Sequence, residues 1–150
     1  MIRKAKLVDV KEIQRLINFF ADRGEMLPCS LSELYDRVRD FFIYEERGEI
    51  VGTCALHLSW EDLGEIRSLA VKESHGRRGI GTQLVKACLG EAKSLGVRRI
   101  FALTYKLDFF RKLGFQVTDK SRLPQKIWTD CIKCVKFPEC DEVAVILESD

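Results

Sequence analysis

A short run of glycines and arginines near the middle of the chain has the residue types of an anion-binding site. The run Gly-Arg-Arg-Gly-Ile-Gly occupies residues 76–81, between an apolar segment and a long helical pattern. A helix N-terminus leaves backbone N–H groups without partners, and glycines let an anion approach them closely. Arg77 and Arg78 add positive charge at the same place. The segment is therefore predicted to hold a phosphate or pyrophosphate.

Two common nucleotide-binding motifs do not fit this run. A P-loop requires a Lys-Ser/Thr pair after its last glycine, whereas Thr82 and Gln83 follow Gly81. A dinucleotide fingerprint requires three glycines in register and an acidic residue at the end of a second strand, and neither fits well. The remaining alternatives are another phosphate-bearing cofactor and an ordinary connection between a strand and a helix.

Leu69-Ala70-Val71 ends the apolar segment, and Gly79-Ile80-Gly81 ends the glycine-rich run. Together these motifs closely resemble the acyl-CoA loop of the GNAT superfamily of N-acetyltransferases. Gly76 departs from the pattern, because the family usually has Gln or Arg there. The resemblance implies that loop N–H groups bind the pyrophosphate of acetyl-CoA, and that Arg77 or Arg78 replaces the missing side chain. The cofactor-binding residues it implies are Leu69, Ala70, Val71, Arg77, Arg78, Gly79, Ile80, Gly81, Thr82, Phe109, Phe110 and Lys112.

A second motif reads Phe-Phe-Arg-Lys-Leu-Gly-Phe over residues 109–115. The family has an aromatic-rich helix followed by Leu-Gly-Phe here, beside the thiol end of the cofactor. Many members have a Tyr proposed to protonate the leaving thiolate, whereas Phe110 has no proton to donate. Together with Glu-Ile-Arg-Ser-Leu-Ala-Val at residues 65–71 and the run at residues 123–131, this variant resembles the short, stand-alone N-acetylglutamate synthase branch of amino-acid acetyltransferases.

Glu65 is the candidate general base. An amine attacks a thioester only as the neutral base, and free amino groups are mostly protonated at neutral pH. A base, or a water relay to one, must therefore remove a proton near the attacking nitrogen. The family commonly places a Glu on its fourth strand for this step, and Glu65 matches it; a solvated residue at a strand start is the alternative. A backbone N–H near Leu69 would hold the oxyanion, and no cysteine nucleophile is needed.

Tyr105 is the candidate general acid, because it is the hydroxyl nearest in sequence to the Phe-Phe motif. Half-buried packing is the alternative, and water suffices as proton source for a CoA thiolate. A glutamate-like acceptor carries two carboxylates, for which cationic side chains are suited. Arg23, Arg67 and Lys126 are the candidates, each with a plain surface charge as its alternative.

The expected activity is acetyl transfer from acetyl-CoA to the α-amino group of a small amino acid in a ternary complex. L-Glutamate is the first candidate acceptor, which would be the first step of arginine biosynthesis. Two alternatives stay open: a GNAT enzyme acting on a protein or another small amine, and a non-catalytic acyl-CoA sensor. Gly76 and Phe110, the two departures from the family pattern, favour the sensor.

Three cysteines form the one pattern that resembles a metal site, Cys131-x2-Cys134-x5-Cys140. Structural zinc takes four ligands, and both His57 and His75 are far away in sequence. Reduced thiols that pack a loop are therefore favoured, and no metal is expected.

Composition agrees with a small cytoplasmic enzyme. The 150 residues are enough for one domain, predicted over 1–150, and the net charge of +2 gives no nucleic-acid footprint. No apolar run approaches the roughly 18 residues that span a membrane, and no signal-peptide pattern is present. The six cysteines are expected to be reduced. The expected partners are the amino acid and acetyl-CoA, with a homodimer as one option for assembly.

The pattern along the chain predicts an α/β order that matches the GNAT fold: a mixed, mostly antiparallel sheet splayed between its fourth and fifth strands and flanked by helices. The resemblance implies a bulge in the fourth strand, and the three-residue spacing of Ile66 and Leu69 is compatible with one; a strand buried on both faces is the alternative. The predicted strands are 2–7, 41–46, 50–60, 64–72, 98–104, 115–118 and 142–148, and the predicted helices are 9–24, a short one from Ser30, 79–95 and 106–113.

Overall fold

A mixed sheet positions the other elements of the protein. The computed structural model describes residues 1–119 and 142–148. Within them, seven strands form one sheet in the order β1-β2-β3-β4-β5-β7-β6. The β4–β5 pair is parallel and the other neighbouring pairs are antiparallel. The strands are β1 Ile2–Lys4, β2 Phe41–Glu46, β3 Glu49–Trp60, β4 Leu63–Val71, β5 Arg99–Thr104, β6 Gln116–Val117 and β7 Val143–Glu148.

Helices cover both faces of the sheet, and each predicted helix is confirmed. They are α1 Val10–Ala21, α2 Leu31–Arg37, α3 Ile80–Leu95 and α4 Leu107–Lys112. Ser30 caps α2, because its hydroxyl accepts a hydrogen bond from the N–H of Glu33 at 3.1 Å. Gly96 ends α3 in the left-handed conformation, with φ of 83°. None of the helices in these ranges is both long and apolar enough to span a bilayer.

Asp9 has the residue type and position of an N-cap for α1, but its side chain does not cap the helix. The Asp9 carboxylate accepts two bonds from Arg3, at 2.8 and 3.0 Å, and one from the N–H of Lys6 at 2.7 Å. These bonds form a 3₁₀ turn at Leu7–Asp9 and end β1 early, at Lys4. The Arg3 guanidinium holds the pKa of Asp9 below its ordinary value. The N-terminal turn is therefore an ion-paired junction between β1 and α1.

The core lies on both sides of the sheet. One face packs against α3, whose predicted stripe is buried: Ile80, Leu84, Val85, Cys88 and Ala92. The other face packs against α1 and α2, where Ile13, Ile17 and Leu34 meet Ile43 and Ala55. Periods of 3.6 residues in the helices match these two apolar surfaces. The central strands are therefore held on both faces.

A bulge interrupts β4, as the resemblance to the GNAT family implied and the spacing of Ile66 and Leu69 allowed. Arg67 pairs with Ala55 and Ala70 pairs with Thr53. An advance of three residues along β4 therefore matches an advance of two along β3, which is a β-bulge. Ser68 lies in the extra stretch with φ of 56°. Pairing of β4 with β5 covers only residues 63–65 and 99–101. The two strands therefore separate beyond Glu65, which confirms the predicted splay.

Candidate active site

The second half of β4 forms one wall of a gap between strands. Beyond Glu65 this strand pairs with β3 on one side, whereas its register with β5 has ended. Strand edges of this kind present backbone N–H and C=O groups for pairing with another extended chain. Leu69 and Val71 lie on this stretch and pack partly against the α3 core. The gap therefore has the geometry that an extended ligand needs to add to the sheet.

The loop from β4 to α3 ends in a helix N-terminus that has no side-chain cap. Gly79 occupies the cap position with φ of 76°, in the left-handed region that favours glycine. The first helical bond runs from the N–H of Gln83 to the carbonyl of Gly79 at 3.0 Å. The N–H groups of residues 80–82 precede that bond, as at any helix start. This end of α3 is therefore built to accept an anion.

Gly81 brings the loop, the strand end and the aromatic helix together. A Cβ atom at Gly81 would lie 3.5 Å from two ring carbons of Phe109 and 3.8 Å from a methyl group of Val71. Phe109 packs edge-to-face on Phe110, with ring centroids 5.1 Å apart. Phe110 is 4% exposed and packs in turn on Phe115, so its ring belongs to the core. Val71, Gly81 and Phe109 are therefore in contact where β4 ends and α3 begins.

The two loop arginines have different surroundings. Arg78 makes a bidentate pair with Glu46 of the β2–β3 hairpin, at 3.0 and 3.1 Å, and holds the pKa of Glu46 below its ordinary value. His75 lies 3.5 Å from the same carboxylate. Arg77 has φ of 64° and is exposed. The hairpin therefore orients Arg78, while Arg77 remains in solvent at the loop tip.

Glu65 and Arg67 form a largely buried ion pair at the point where the gap opens. The Arg67 Nε donates to Glu65 Oε1 at 2.5 Å, and Glu65 is 7% exposed. Residues two apart on a strand share a face, which directs both side chains toward the α1–α2 side. The predicted base and one predicted acceptor cation are therefore brought together by the structure.

A small cavity lies beside this pair, next to the bulge. Its volume is about 20 Å³, which is room for roughly one water molecule. Polar side chains from α2, from the loop before it and the 3₁₀ turn after it, and from β3 and β4 line the cavity: Cys29, Glu33, Arg37, Asp40, His57, Arg67 and Ser68. Burial raises the pKa of the Cys29 thiol, whose sulfur is 4.0 Å from the Ser68 hydroxyl oxygen. The face of β4 that holds Glu65 therefore borders a polar recess.

The other predicted site residues lie further apart. Tyr105 follows β5 directly and is 42% exposed. Arg23 follows α1, where it pairs with Glu73 at 2.7 Å and Glu25 at 3.2 Å. Arg23 thus connects the end of α1 to the loop before α3. Lys112 is exposed at the end of α4.

Two predictions fall on residues 120–141, outside the described ranges. They are the acceptor-binding role of Lys126 and the thiol cluster of Cys131, Cys134 and Cys140. Among residues 1–119 and 142–148, no group of three or more His, Cys, Asp and Glu side chains is arranged to hold a metal ion. Both therefore remain predictions from the sequence.

Among the polar residues that line the recess, sequence reasoning identified only Arg67 as a site residue and missed Arg37, Asp40 and His57 among the others. His57 is directly opposite Glu65 in the β3–β4 register, and its Nδ1 lies 3.4 Å from Asp40 Oδ2. His57 and Glu65 are eight residues apart in sequence, and only the register of the β3–β4 hairpin places them opposite each other. The one available signal was the alternation of β3, which puts His57 and Ala55 on the same face.

Comparisons with known proteins agree on one family. The sequence profile described as "Acetyltransferase (GNAT) family" matches residues 7–115. The uncharacterized N-acetyltransferase CT2212 of Chlorobaculum tepidum is 38% identical over 145 residues, or 97% of this chain and 94% of that protein. An amino-acid acetyltransferase of Mycobacterium tuberculosis is 37% identical over 118 residues, or 77% of this chain and 67% of that protein.

A solved structure gives the same result for the fold. N-acetylglutamate synthase from Neisseria gonorrhoeae, crystallised with coenzyme A and N-acetyl-glutamate, matches with a TM-score of 0.90 at 27% identity. The match covers 99% of this chain and 34% of the gonococcal chain, so this chain corresponds to about a third of that enzyme.

Proposed function

The chain belongs to the GNAT acetyltransferase family, and we propose that it transfers the acetyl group of acetyl-CoA to the α-amino group of a small amino acid. L-Glutamate is the first candidate acceptor. The proposed setting is the first step of arginine biosynthesis in the cytoplasm, with acetyl-CoA and the amino acid as the partners. The amino-acid acetyltransferase from Mycobacterium tuberculosis supports the acceptor class.

The observation that carries the acceptor class is the Glu65–Arg67 ion pair. A free α-amino acid is a zwitterion, with an ammonium group and a carboxylate one carbon apart. It therefore offers a cation to Glu65 and an anion to Arg67, and it replaces the 2.5 Å pair between them by two matched contacts. A lysine side chain within a protein offers only the ammonium group and brings no α-carboxylate to Arg67.

The cofactor fits the gap and the loop. We propose that the pantetheine arm of acetyl-CoA pairs with β4 beyond the bulge, and that the pyrophosphate binds the N–H groups that begin α3. Open space adjoins Gly79, where a Cβ atom would meet nothing within 4 Å, and the missing side chain of Gly81 leaves the backbone accessible beside Phe109 and Val71. Leu69, Ala70 and Val71 would supply the strand edge, Arg77 and Arg78 charge, and Phe109 an apolar wall. Ile80, Thr82, Phe110 and Lys112 complete the proposed cofactor contacts.

The proposed chemistry is direct attack in a ternary complex. Glu65 removes a proton from the acceptor ammonium group, directly or through water, and the neutral amine attacks the thioester carbonyl. A backbone N–H near Leu69 stabilises the oxyanion. The intermediate collapses with CoA as the leaving group, which takes its proton from Tyr105 or from water; the proton that the acylated nitrogen still has to lose replaces the one donated. Phe110 cannot supply that proton, because its side chain carries no hydroxyl.

The second carboxylate of a glutamate-like acceptor needs a further cation. Arg67 and Arg37 both line the recess, so Arg37 is added to the candidates. Lys126 remains a proposal from the sequence. Arg23 has two acidic partners, Glu25 and Glu73, which makes it the weakest of the acceptor candidates.

A thiol-release assay tests this function. Acetyl-CoA is incubated with glutamate, glutamine, aspartate and ornithine in turn, and with a lysine-containing peptide whose N-terminus is blocked. We expect CoA release with at least one free amino acid and none with the peptide. Turnover on the peptide alone would support a protein acetyltransferase. Calorimetric binding of acetyl-CoA without turnover on any amine would support the sensor instead.

A further inference from the structure

A histidine–aspartate pair lies beside the candidate base, on the same face of the sheet. His57 and Glu65 are direct register partners across β3 and β4. In antiparallel sheets such partners have Cβ atoms about 4.5–5.5 Å apart. His57 Nδ1 lies 3.4 Å from Asp40 Oδ2, in the 3₁₀ turn between α2 and β2. The imidazole therefore sits between a largely buried carboxylate and a more exposed one.

A buried base must release the proton that it takes from the substrate. Glu65 is 7% exposed, so direct exchange of its proton with bulk water is restricted. The His57 side chain is 27% exposed and that of Asp40 is 30% exposed. Imidazole changes its charge near neutral pH and donates or accepts at either nitrogen. His57 thus has both the chemistry and the position to connect Glu65 with solvent.

We propose that His57 is the relay through which Glu65 returns its proton to solvent, with Asp40 as the residue that orients the imidazole. This inference rests on the proposed acetyl transfer. Glu65 takes one proton from the acceptor ammonium group and becomes a neutral acid. It passes that proton to the neutral imidazole of His57, which becomes an imidazolium ion, and the imidazolium releases the proton to water. Glu65 is then again a carboxylate.

The charges around His57 are suited to a transient imidazolium ion. Asp40 approaches from the turn after α2, and Glu65 and Arg67 approach from β4. Glu33 and Arg37 reach the same recess from α2, together with the Cys29 thiol from the loop before it. Three carboxylates and two guanidinium groups leave a net negative surrounding. A positive charge on His57 is therefore accommodated without a new counterion.

His57→Gln tests the relay by keeping a polar side chain that does not titrate. We expect kcat to fall about 10- to 100-fold at neutral pH, less than the roughly 10²–10⁴-fold supplied by a direct base, with both KM values nearly unchanged. The pH profile of kcat should differ from that of the native protein. Asp40→Asn should lower kcat in the same direction. Asp36→Asn removes an exposed carboxylate from α2 and should leave kcat unchanged.

Chemical rescue separates a relay from a packing role. His57→Ala enlarges the recess beside Glu65, and added imidazole should restore part of its kcat. A fall in kcat with an unchanged pH profile and no rescue would overturn the relay and leave His57 as a packing residue. If His57→Ala does not fold, as judged by circular dichroism, the His57→Gln and Asp40→Asn profiles decide.

The relay and the proposed function fail in different ways. A native protein that releases no CoA with any amino acid refutes the proposed function and the relay with it. A native protein with normal turnover, whose His57→Gln variant keeps the same kcat and pH profile, refutes the relay alone.

Discussion

Glu65→Gln removes the charge of the candidate base and almost nothing else. Gln has the same length as Glu, and its carbonyl oxygen still accepts a hydrogen bond from the Arg67 Nε, now 2.5 Å from Glu65 Oε1. The variant therefore preserves the packing of a residue that is 7% exposed. What it loses is the ability to take a proton from the acceptor ammonium group. Any large effect on turnover is then attributable to basicity.

The size of the effect follows from the role. A positioned general base contributes about 10²–10⁴-fold to rate, which corresponds to roughly 3–5 kcal/mol of activation free energy. We expect kcat to fall by that factor at neutral pH, with acetyl-CoA affinity nearly unchanged. The fold should lose only about 1–3 kcal/mol of unfolding free energy, the scale of one hydrogen bond to a charged partner. Raising the pH should recover part of the rate, because more of the acceptor amine is then neutral.

Steady-state thiol release at several pH values, with calorimetry for acetyl-CoA, measures these quantities. Glu61→Gln is the matched control, since Glu61 is an exposed glutamate in the turn between β3 and β4. A Glu65→Gln variant with near-native kcat at neutral pH would remove Glu65 from proton transfer. A defect confined to the acceptor KM would mean that Glu65 only binds the ammonium group.

Three further predictions test the cofactor loop and the N-terminal junction. Gly76 has φ of −64°, which any residue adopts, and a Cβ atom there would lie 3.4 Å from the Glu73 carbonyl oxygen. Gly76→Gln should therefore keep the native melting temperature and bind CoA at least as tightly as the native protein. A loss of CoA affinity, measured by calorimetry, would contradict this. Replacing Arg77 and Arg78 together by Ala should weaken CoA binding by about 1–3 kcal/mol at low salt and by less at high salt, and a loss independent of salt would refute an electrostatic role. Asp9→Asn should lower the unfolding free energy at pH 7 by about 1–3 kcal/mol, measured by urea denaturation. Because Arg3 lowers the pKa of Asp9 in the folded state, that stabilisation is present above the unfolded pKa and is lost as the pH falls through the folded value, so variant and native protein should converge in acid.

Local pattern was sufficient for the elements of this fold. The period of α3 and the left-handed glycine after it determine where that helix lies and ends, and both are visible in the sequence. The bulge in β4 was expected mainly from the family resemblance, and the three-residue spacing between Ile66 and Leu69 was compatible with it. These features depend on residues that are close in sequence, so that pattern and propensity act in the same direction.

Pairing between distant charges was not predictable in the same way. Arg78 meets Glu46 across 32 residues, and Arg23 meets Glu73 across 50. Asp9 has the type and position of a helix cap, but the Arg3 guanidinium from the neighbouring strand takes its carboxylate. In each case the partner is set by the sheet order and hairpin register, which local sequence does not specify.

The register of β4 also constrains how Glu65 reaches the acceptor. Glu65 is opposite His57, and Ala70 is opposite Thr53. The distance from Glu65 to Ala70 along the sheet therefore equals about four residues of β3, or roughly 13 Å. If the oxyanion is held near Leu69, the thioester carbonyl lies about 10 Å from the Glu65 backbone by the same measure. A glutamate side chain does not span that distance, and the acceptor amine must approach the carbonyl to attack it. In the proposed mechanism, we therefore expect the proton to pass through a water between the attacking amine and Glu65, beside the bulge. In the same mechanism, Glu65 would hold the ammonium group when the acceptor first binds, and would receive its proton through that water once the amine has moved to the carbonyl.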